Sequence, residues 1–282
     1  MSPAEGVVSW NINTACNYRC SYCTQRFMDD RGRWSHDTPR FLQGFARLPG
    51  RWEVKISGGE PFVHPTLDEI TSGLAELEHR ISIVTNFSQS ERKLLGFVRA
   101  ARGRVGVFSC SLHLEYVSDI AAFIDKARLI SDALKESRDP SLPAPSLNVT
   151  TVATRPALPR LAELAAQFAK RGVTFKIQPE KFDGGLIEYT TSQQAELIQL
   201  GGHNRTGQLS HRFTGRPCWS GSRYFILDDR GTAYRCYPAR RHKMERLGDF
   251  LSDSFALFDG PLPCPYPLCY CTVPIERGLM SR

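Results

Sequence analysis

Short apolar runs alternate with longer amphipathic stretches over the first 180 residues, the pattern of strands each followed by a helix on a parallel sheet. Val7 to Asn11 reads as a first strand and Val54 to Ser57 as a second. Pro65 then opens a helix with Leu67, Ile70, Leu74 and Leu77 on one face. Ile81 to Thr85 is a third strand, followed by a helix containing Leu94, Leu95 and Val98. Val105 to Ser111 is a fourth strand, after which Ile120, Phe123, Ile124, Ala127, Ile130 and Leu134 mark a long amphipathic helix. The prolines of Arg138 to Ser146 require a loop. Asn148 to Ala153, a helix with Leu161, Leu164, Ala165 and Phe168, and Thr174 to Gln178 complete the series. Spacing alone leaves a barrel and a doubly wound sheet both open.

After Ile187 the alternation stops, which divides the chain into an N-terminal domain, 1–187, and a C-terminal one, 188–282. Tyr224 to Leu227, Asp228 to Gly231 and Thr232 to Tyr234 read as strand, turn and strand of a hairpin. Cys218 and Cys236 bracket that hairpin with 17 residues between them, so it brings two thiols together.

Cysteine spacing carries the chemistry. Cys16, Cys20 and Cys23 are spaced Cys-x3-Cys-x2-Cys, and three thiolates on one loop can hold three irons of a cubane cluster while leaving the fourth open. Zinc would need a fourth ligand at short range, and no Cys or His occurs before His36. Cys264, Cys269 and Cys271 join Cys218 and Cys236 to make a second group, suited to an iron-sulfur cluster or to zinc, with one thiol to spare. Cys110 stands alone in an apolar strand, either as a small buried hydrophobe or as a cavity thiol that delivers a hydrogen atom. His113, Lys176 and Glu180 lie near strand ends and are the available bases.

The first spacing, the aromatic Tyr22 before the third cysteine, and Gly58, Gly59, Glu60 and Pro61 after the second strand resemble the radical S-adenosylmethionine (radical SAM) superfamily. The resemblance implies an α/β fold, a partial (β/α)6 barrel, with a small C-terminal auxiliary-cluster appendage built on the hairpin. It implies a [4Fe-4S] cluster with an open iron that binds S-adenosyl-L-methionine, whose reductive cleavage yields a 5'-deoxyadenosyl radical. Tyr22 would lie near the adenine, Gly58 and Gly59 would admit the methionyl group, and Glu60 would accept from its ammonium. Asn86, with Ser109 or Ser111, would contact the ribose. The late cysteines resemble the shortened, twitch-like form of the SPASM appendage, implying a second [4Fe-4S] cluster on Cys218, Cys236, Cys269 and Cys271, with Cys264 as the alternate for either late place. Flavodoxin or ferredoxin would supply electrons.

Charge and composition narrow the partners. A net charge of +7 is spread along the chain, and its densest stretch, Arg240, Arg241, His242, Lys243 and Arg246, reads as a solvated loop rather than the rim of an anion site. Aromatic residues do not interleave with these charges, so a nucleic-acid partner has no support. No run of about 18 apolar residues and no signal peptide occurs, which argues against a membrane span. An odd count of nine cysteines suits a reducing cytoplasm. Fifteen residues precede Cys16, too few for a leader-binding domain. That favours a small polar substrate (aminocyclitol, sugar or nucleoside) undergoing alcohol oxidation or epimerisation. The alternative is peptide crosslinking or residue epimerisation with a separate leader-binding partner.

Overall fold

The computed structural model describes residues 5–25, 27–182, 185–200, 212–269, 273 and 277–280. Six parallel strands stand in sequential order: β1 (Gly6–Asn13), β2 (Trp52–Gly58), β3 (Arg80–Thr85), β4 (Val105–Ser111), β5 (Ser146–Ala153) and β6 (Thr174–Pro179). Helices α1 (Trp34–Ala46), α2 (Leu67–Glu76), α3 (Glu91–Ala100), α4 (Ile120–Glu136) and α5 (Leu161–Lys170) make the crossovers. This is the expected α/β architecture with a parallel sheet of the partial-barrel kind.

Alternation along each strand separates two faces. Val8, Trp10, Ile12, Val54, Ile56, Ile81, Ile83 and Val149 join the helices in one apolar core, where Phe41 and Phe45 of α1 meet Trp10 at ring-centroid distances of 4.7 and 5.1 Å. The opposite face carries Ser9, Asn11, Lys55, Ser57, Ser109, Ser111, Asn148 and Thr150, a polar inner wall. In α4 the buried residues are the apolar set expected from the periodicity.

A strand pair β7 (Lys181–Phe182) and β8 (Gly185–Leu186) precedes helix α6 (Thr191–Leu200), a helix beyond the point where the alternation stops in sequence. Beyond it come β9 (Pro217–Cys218), β10 (Tyr224–Leu227), β11 (Thr232–Tyr234), a short helix Tyr237–His242, β12 (Arg246–Asp249) and β13 (Leu262–Pro263). The hairpin forms as expected: the Asp228 side chain accepts from the backbone of Arg230 and Thr232 at 2.9 Å each, closing the turn. Its strand β10 pairs parallel to β1, and β12 pairs with β11, so the hairpin and β12 extend the barrel sheet to nine strands in the order β12-β11-β10-β1-β2-β3-β4-β5-β6. No helix among the described residues is long and apolar enough to cross a membrane.

Candidate active site

The loop that leaves β1 carries Cys16, Cys20 and Cys23. The end of β2 grips its base: Gly59 N donates to Asn13 O and Glu60 N to Ala15 O, both at 2.9 Å, while Asn13 Nδ2 donates to Glu60 O at 3.0 Å. Gly58 holds φ +146°, and a Cβ there would meet Asn13 O at 2.5 Å; one on Gly59 would press into the carbonyls of Thr14, at 2.7 Å, and Ala15. Both glycines are therefore required by contact with the loop, a role the sequence reading gave to the methionyl group.

The three thiols are neighbours. Burial raises the pKa of Cys16 and pushes that of Cys20 up to about 11, and the nearby Cys23 adds to both shifts. Thiols that oppose one another's ionisation would all become thiolates together only on a strongly cationic group. Among the described residues no three His, Cys, Asp or Glu side chains close on a single ion; in an iron-sulfur cluster each cysteine holds its own iron, so these thiols need not converge on one point. The donor set fits a cluster with three protein ligands.

The far side of the loop docks on the segment after β4. The hydroxyl of Tyr22 lies 2.7 Å and Cys20 Sγ 3.3 Å from His113 Nδ1, with the Tyr22 and His113 rings stacked. Burial lowers the His113 pKa to about 4, so the ring is neutral at pH 7. Ser21 N donates to Glu115 Oε2 at 3.0 Å, Arg19 N donates to Tyr116 OH at 2.8 Å, and Tyr18 stacks on Tyr116 with centroids 4.0 Å apart. His113, expected as a base, is thus committed to the loop. Glu115, Tyr116 and Tyr18 were missed; the only signal was an acidic and an aromatic side chain just past a strand end.

Glu60 departs furthest from expectation. It is fully buried, its Oε1 accepting from Phe62 N at 3.0 Å and Thr85 Oγ1 at 2.7 Å, and its Oε2 from Asn86 N at 2.6 Å. A carboxylate so enclosed braces the end of β3 through Thr85 and Asn86. Burial pushes its pKa up to about 7 against the pull of those three bonds. Pro61 opens the short 3-10 turn that follows. Asn86, expected at the ribose, donates through Nδ2 to Asn17 Oδ1 at 2.8 Å and so also supports the loop.

Strand parity decides the remaining assignments. Ser109 and Ser111 are half-buried on the inner wall, Ser109 Oγ donating to Asn148 Oδ1 at 3.0 Å. Cys110 lies between them on the opposite face, 0% exposed in the main apolar core. Burial raises its pKa well above the ordinary thiol value. A hydrogen-donating role for Cys110 is therefore corrected to packing. Lys176 stands on the inner wall in register with Thr150. Glu180 follows β6, where its N–H donates to Tyr189 OH at 2.8 Å. Among the described residues no hydrogen bond or ion pair joins Lys176 or Glu180 to His113.

The sequence reading placed Arg240 in a solvated loop. With the Asn11 amide turned so that its nitrogen donates to Ser57 Oγ at 3.0 Å, its oxygen accepts from the Arg240 guanidinium at 3.1 Å. The short helix after Cys236 thus delivers a cation to the inner wall of β1 and β2, where Ser57 and Lys55 are successive inner-face residues of β2.

The second cysteine group also assembles. Cys218, Cys236, Cys264 and Cys269 line one cavity together with Arg235 and Tyr266. Cys264, held in reserve above, is thereby in the set, whereas Cys271 lies outside the described residues. Burial pushes the Cys236 thiol far above its ordinary pKa, with Cys269 adding to the shift.

A parallel α/β sheet with a three-thiol loop at the carboxyl end of its first strand defines a class, and comparison with known proteins agrees. Residues 10–129 match the model of the Radical SAM superfamily. GTP 3',8-cyclase of Stenotrophomonas maltophilia is 33% identical over 149 residues, 49% of this chain and 44% of that protein. A probable GTP 3',8-cyclase of Methanocaldococcus jannaschii is 29% identical over 136 residues, 47% of this chain and 45% of that one. These matches span less than half of either relative. Among solved structures, Streptococcus suis SuiB superposes with a TM-score of 0.57 at 13% identity, covering 88% of this chain and 64% of that one. His-tagged anSMEcpe with bound AdoMet gives 0.56 at 14%, covering 88% and 75%. At such identities the structures show the shared fold alone. The expected oxidation or epimerisation of an alcohol, with its peptide-modifying alternative, is overturned, since the curated relatives are named for cyclising GTP.

Proposed function

We propose that this chain is a radical SAM enzyme acting on a nucleotide, with ring closure of the kind for which its GTP 3',8-cyclase relatives are named. The observation that carries the class is the three-thiol loop held between the Gly58–Pro61 segment and His113. Cys16, Cys20 and Cys23 would hold the cluster, which when bound would supply the one-electron reduction that cleaves S-adenosylmethionine. This chain's own residues hold and shield that chemistry. Tyr22 and His113 fix the loop's outer side, Glu60 and Asn86 its inner side, and Ser109 and Ser111 offer hydroxyls to a ligand in the barrel. Lys55, Lys176 and Arg240 give the inner wall the positive charge that phosphate groups need.

The second cavity is read as the site of a further iron-sulfur cluster on Cys218, Cys236, Cys264 and Cys269, supported by four thiols lining one space. Four protein ligands would saturate a cubane, so its role would be electron transfer or structural support. Reduced flavodoxin or ferredoxin is the proposed electron source, in a reducing compartment.

The test is anaerobic incubation of the reconstituted protein with S-adenosylmethionine, dithionite and GTP. We expect 5'-deoxyadenosine together with a GTP-derived product bonded between its 3' and 8 positions by NMR. Cleavage that leaves GTP untouched rejects the substrate, and absence of cleavage rejects the class. Cys20→Ala abolishes cleavage on this reading, while Cys236→Ala lowers iron from about eight to about four per chain.

A further inference from the structure

We propose that Arg235 is the positioning residue of the four-thiol cavity, its planar guanidinium setting the distances between the segments that carry Cys218, Cys236 and Cys264. This rests on the reading that the cavity holds a thiolate-bound metal group. Arg235 is 2% exposed. Its Nε donates to Ser220 O at 3.0 Å, Nη1 to Pro263 O at 3.2 Å and Glu245 Oε1 at 2.7 Å, and Nη2 to Leu262 O at 2.7 Å.

Each of the three backbone acceptors lies beside a thiol. Ser220 is two residues past Cys218, and its hydroxyl accepts the Cys218 S–H at 3.2 Å. Leu262 pairs with Cys218 across the β9 and β13 ladder, and Pro263 immediately precedes Cys264. Arg235 itself precedes Cys236. One rigid group therefore touches the chain next to three of the four cavity cysteines. Glu245 extends the brace, because its other oxygen accepts from Tyr266 OH and Tyr266 lines the same cavity.

A buried guanidinium is tolerated only where its donors are used, and here three carbonyls and a carboxylate lie around one plane. Lysine matches the charge but not the fork, since an ammonium is a compact point with no planar donor array. Arg235→Lys therefore separates geometry from charge.

The full chain, reconstituted anaerobically, is compared with Arg235→Lys by iron, sulfide and zinc content and by electron paramagnetic resonance of the reduced protein. The wild type is expected to hold about eight irons and the variant about four. The first cluster's spectral response to S-adenosylmethionine should be retained, which marks the variant as folded. Full metal content, with an unchanged resonance signature and a midpoint potential moved by less than tenfold in equilibrium constant, about 59 mV for one electron, would overturn the brace. If Arg235→Lys does not fold, Glu245→Ala removes the carboxylate acceptor altogether and leaves the guanidinium. It should lose second-site metal to a chelator at least tenfold faster than wild type, and an unchanged rate counts against the proposal. Four irons plus zinc in the wild type would reject the cluster reading, and zinc retention by Arg235→Lys would then decide the brace. A wild type with no second-site metal rejects both.

Discussion

Glu60 and Asn86 are joined by a 2.6 Å hydrogen bond from the Asn86 backbone to a fully buried carboxylate, and through it the end of β2 holds the end of β3. Burial pushes the Glu60 pKa up to about 7. An acid whose folded pKa exceeds its unfolded value of about 4.3 binds its proton more tightly when folded. Its contribution is complete below pH 4.3 and is lost as pH rises to 7. We expect the Glu60 share of apo-protein stability to fall across that window by about 4 kcal/mol at most, against a rise from the buried neutral His64 and His113. Glu60→Gln should remove this falling share and leave the opposite, rising slope of the buried histidines His64 and His113, and it should also cost about 1–3 kcal/mol by setting an amide NH2 against the Asn86 N–H. Urea unfolding at a series of pH values checks both; a variant that keeps the wild-type slope would remove Glu60 from this role.

Gly59→Ala tests the grip on the cluster loop. Its Cβ would collide with backbone carbonyls of Thr14 and Ala15, which cannot yield as a side-chain tip can. Forced overpacking of this kind costs about 1–3 kcal/mol. Displacement of the loop should cut iron at the first site and abolish the spectral response to S-adenosylmethionine, while second-site iron persists. Normal first-site loading would show that the loop adapts.

What the sequence disclosed follows physical locality. The apolar stripe of α4 and the Asp228 to Gly231 turn are fixed by near neighbours, and both formed as read. Helix α1 was missed because Trp34, Phe41 and Phe45 are separated by a polar run and Pro39 sits inside the helix; only tertiary burial against Trp10 reveals the stripe. The cysteine loop and the glycine pair do meet, at the ends of β1 and β2. Their partners did not follow, since which way Glu60, His113 or Arg240 turns is set by segments distant in sequence. Strand parity likewise depends on register with neighbouring strands, and it separates Ser109 from Cys110.

Cys110→Ala follows from that parity. The thiol is enclosed in the main core, so its loss should cost about 1 kcal/mol and leave turnover unchanged. Reaction in heavy water should give the same deuterium content in the product of variant and wild type. Abolished product formation despite intact S-adenosylmethionine cleavage would return Cys110 to the chemistry.

Arg240 offers the sharpest test of an anionic substrate. Its guanidinium meets Asn11 beside Ser57 on the inner wall, and Lys55 lies one inner-face position further down β2. A charge-assisted contact to phosphate is worth roughly 1.5–3 kcal/mol, so Arg240→Gln should weaken GTP binding by about tenfold or more. Guanosine, lacking phosphate, should bind variant and wild type alike. Titration calorimetry with both ligands on the reconstituted protein separates the cases. Equal losses for GTP and guanosine would mean that Arg240 shapes the wall through Asn11 and reads no charge, whereas unchanged GTP affinity would place the phosphates elsewhere in the barrel.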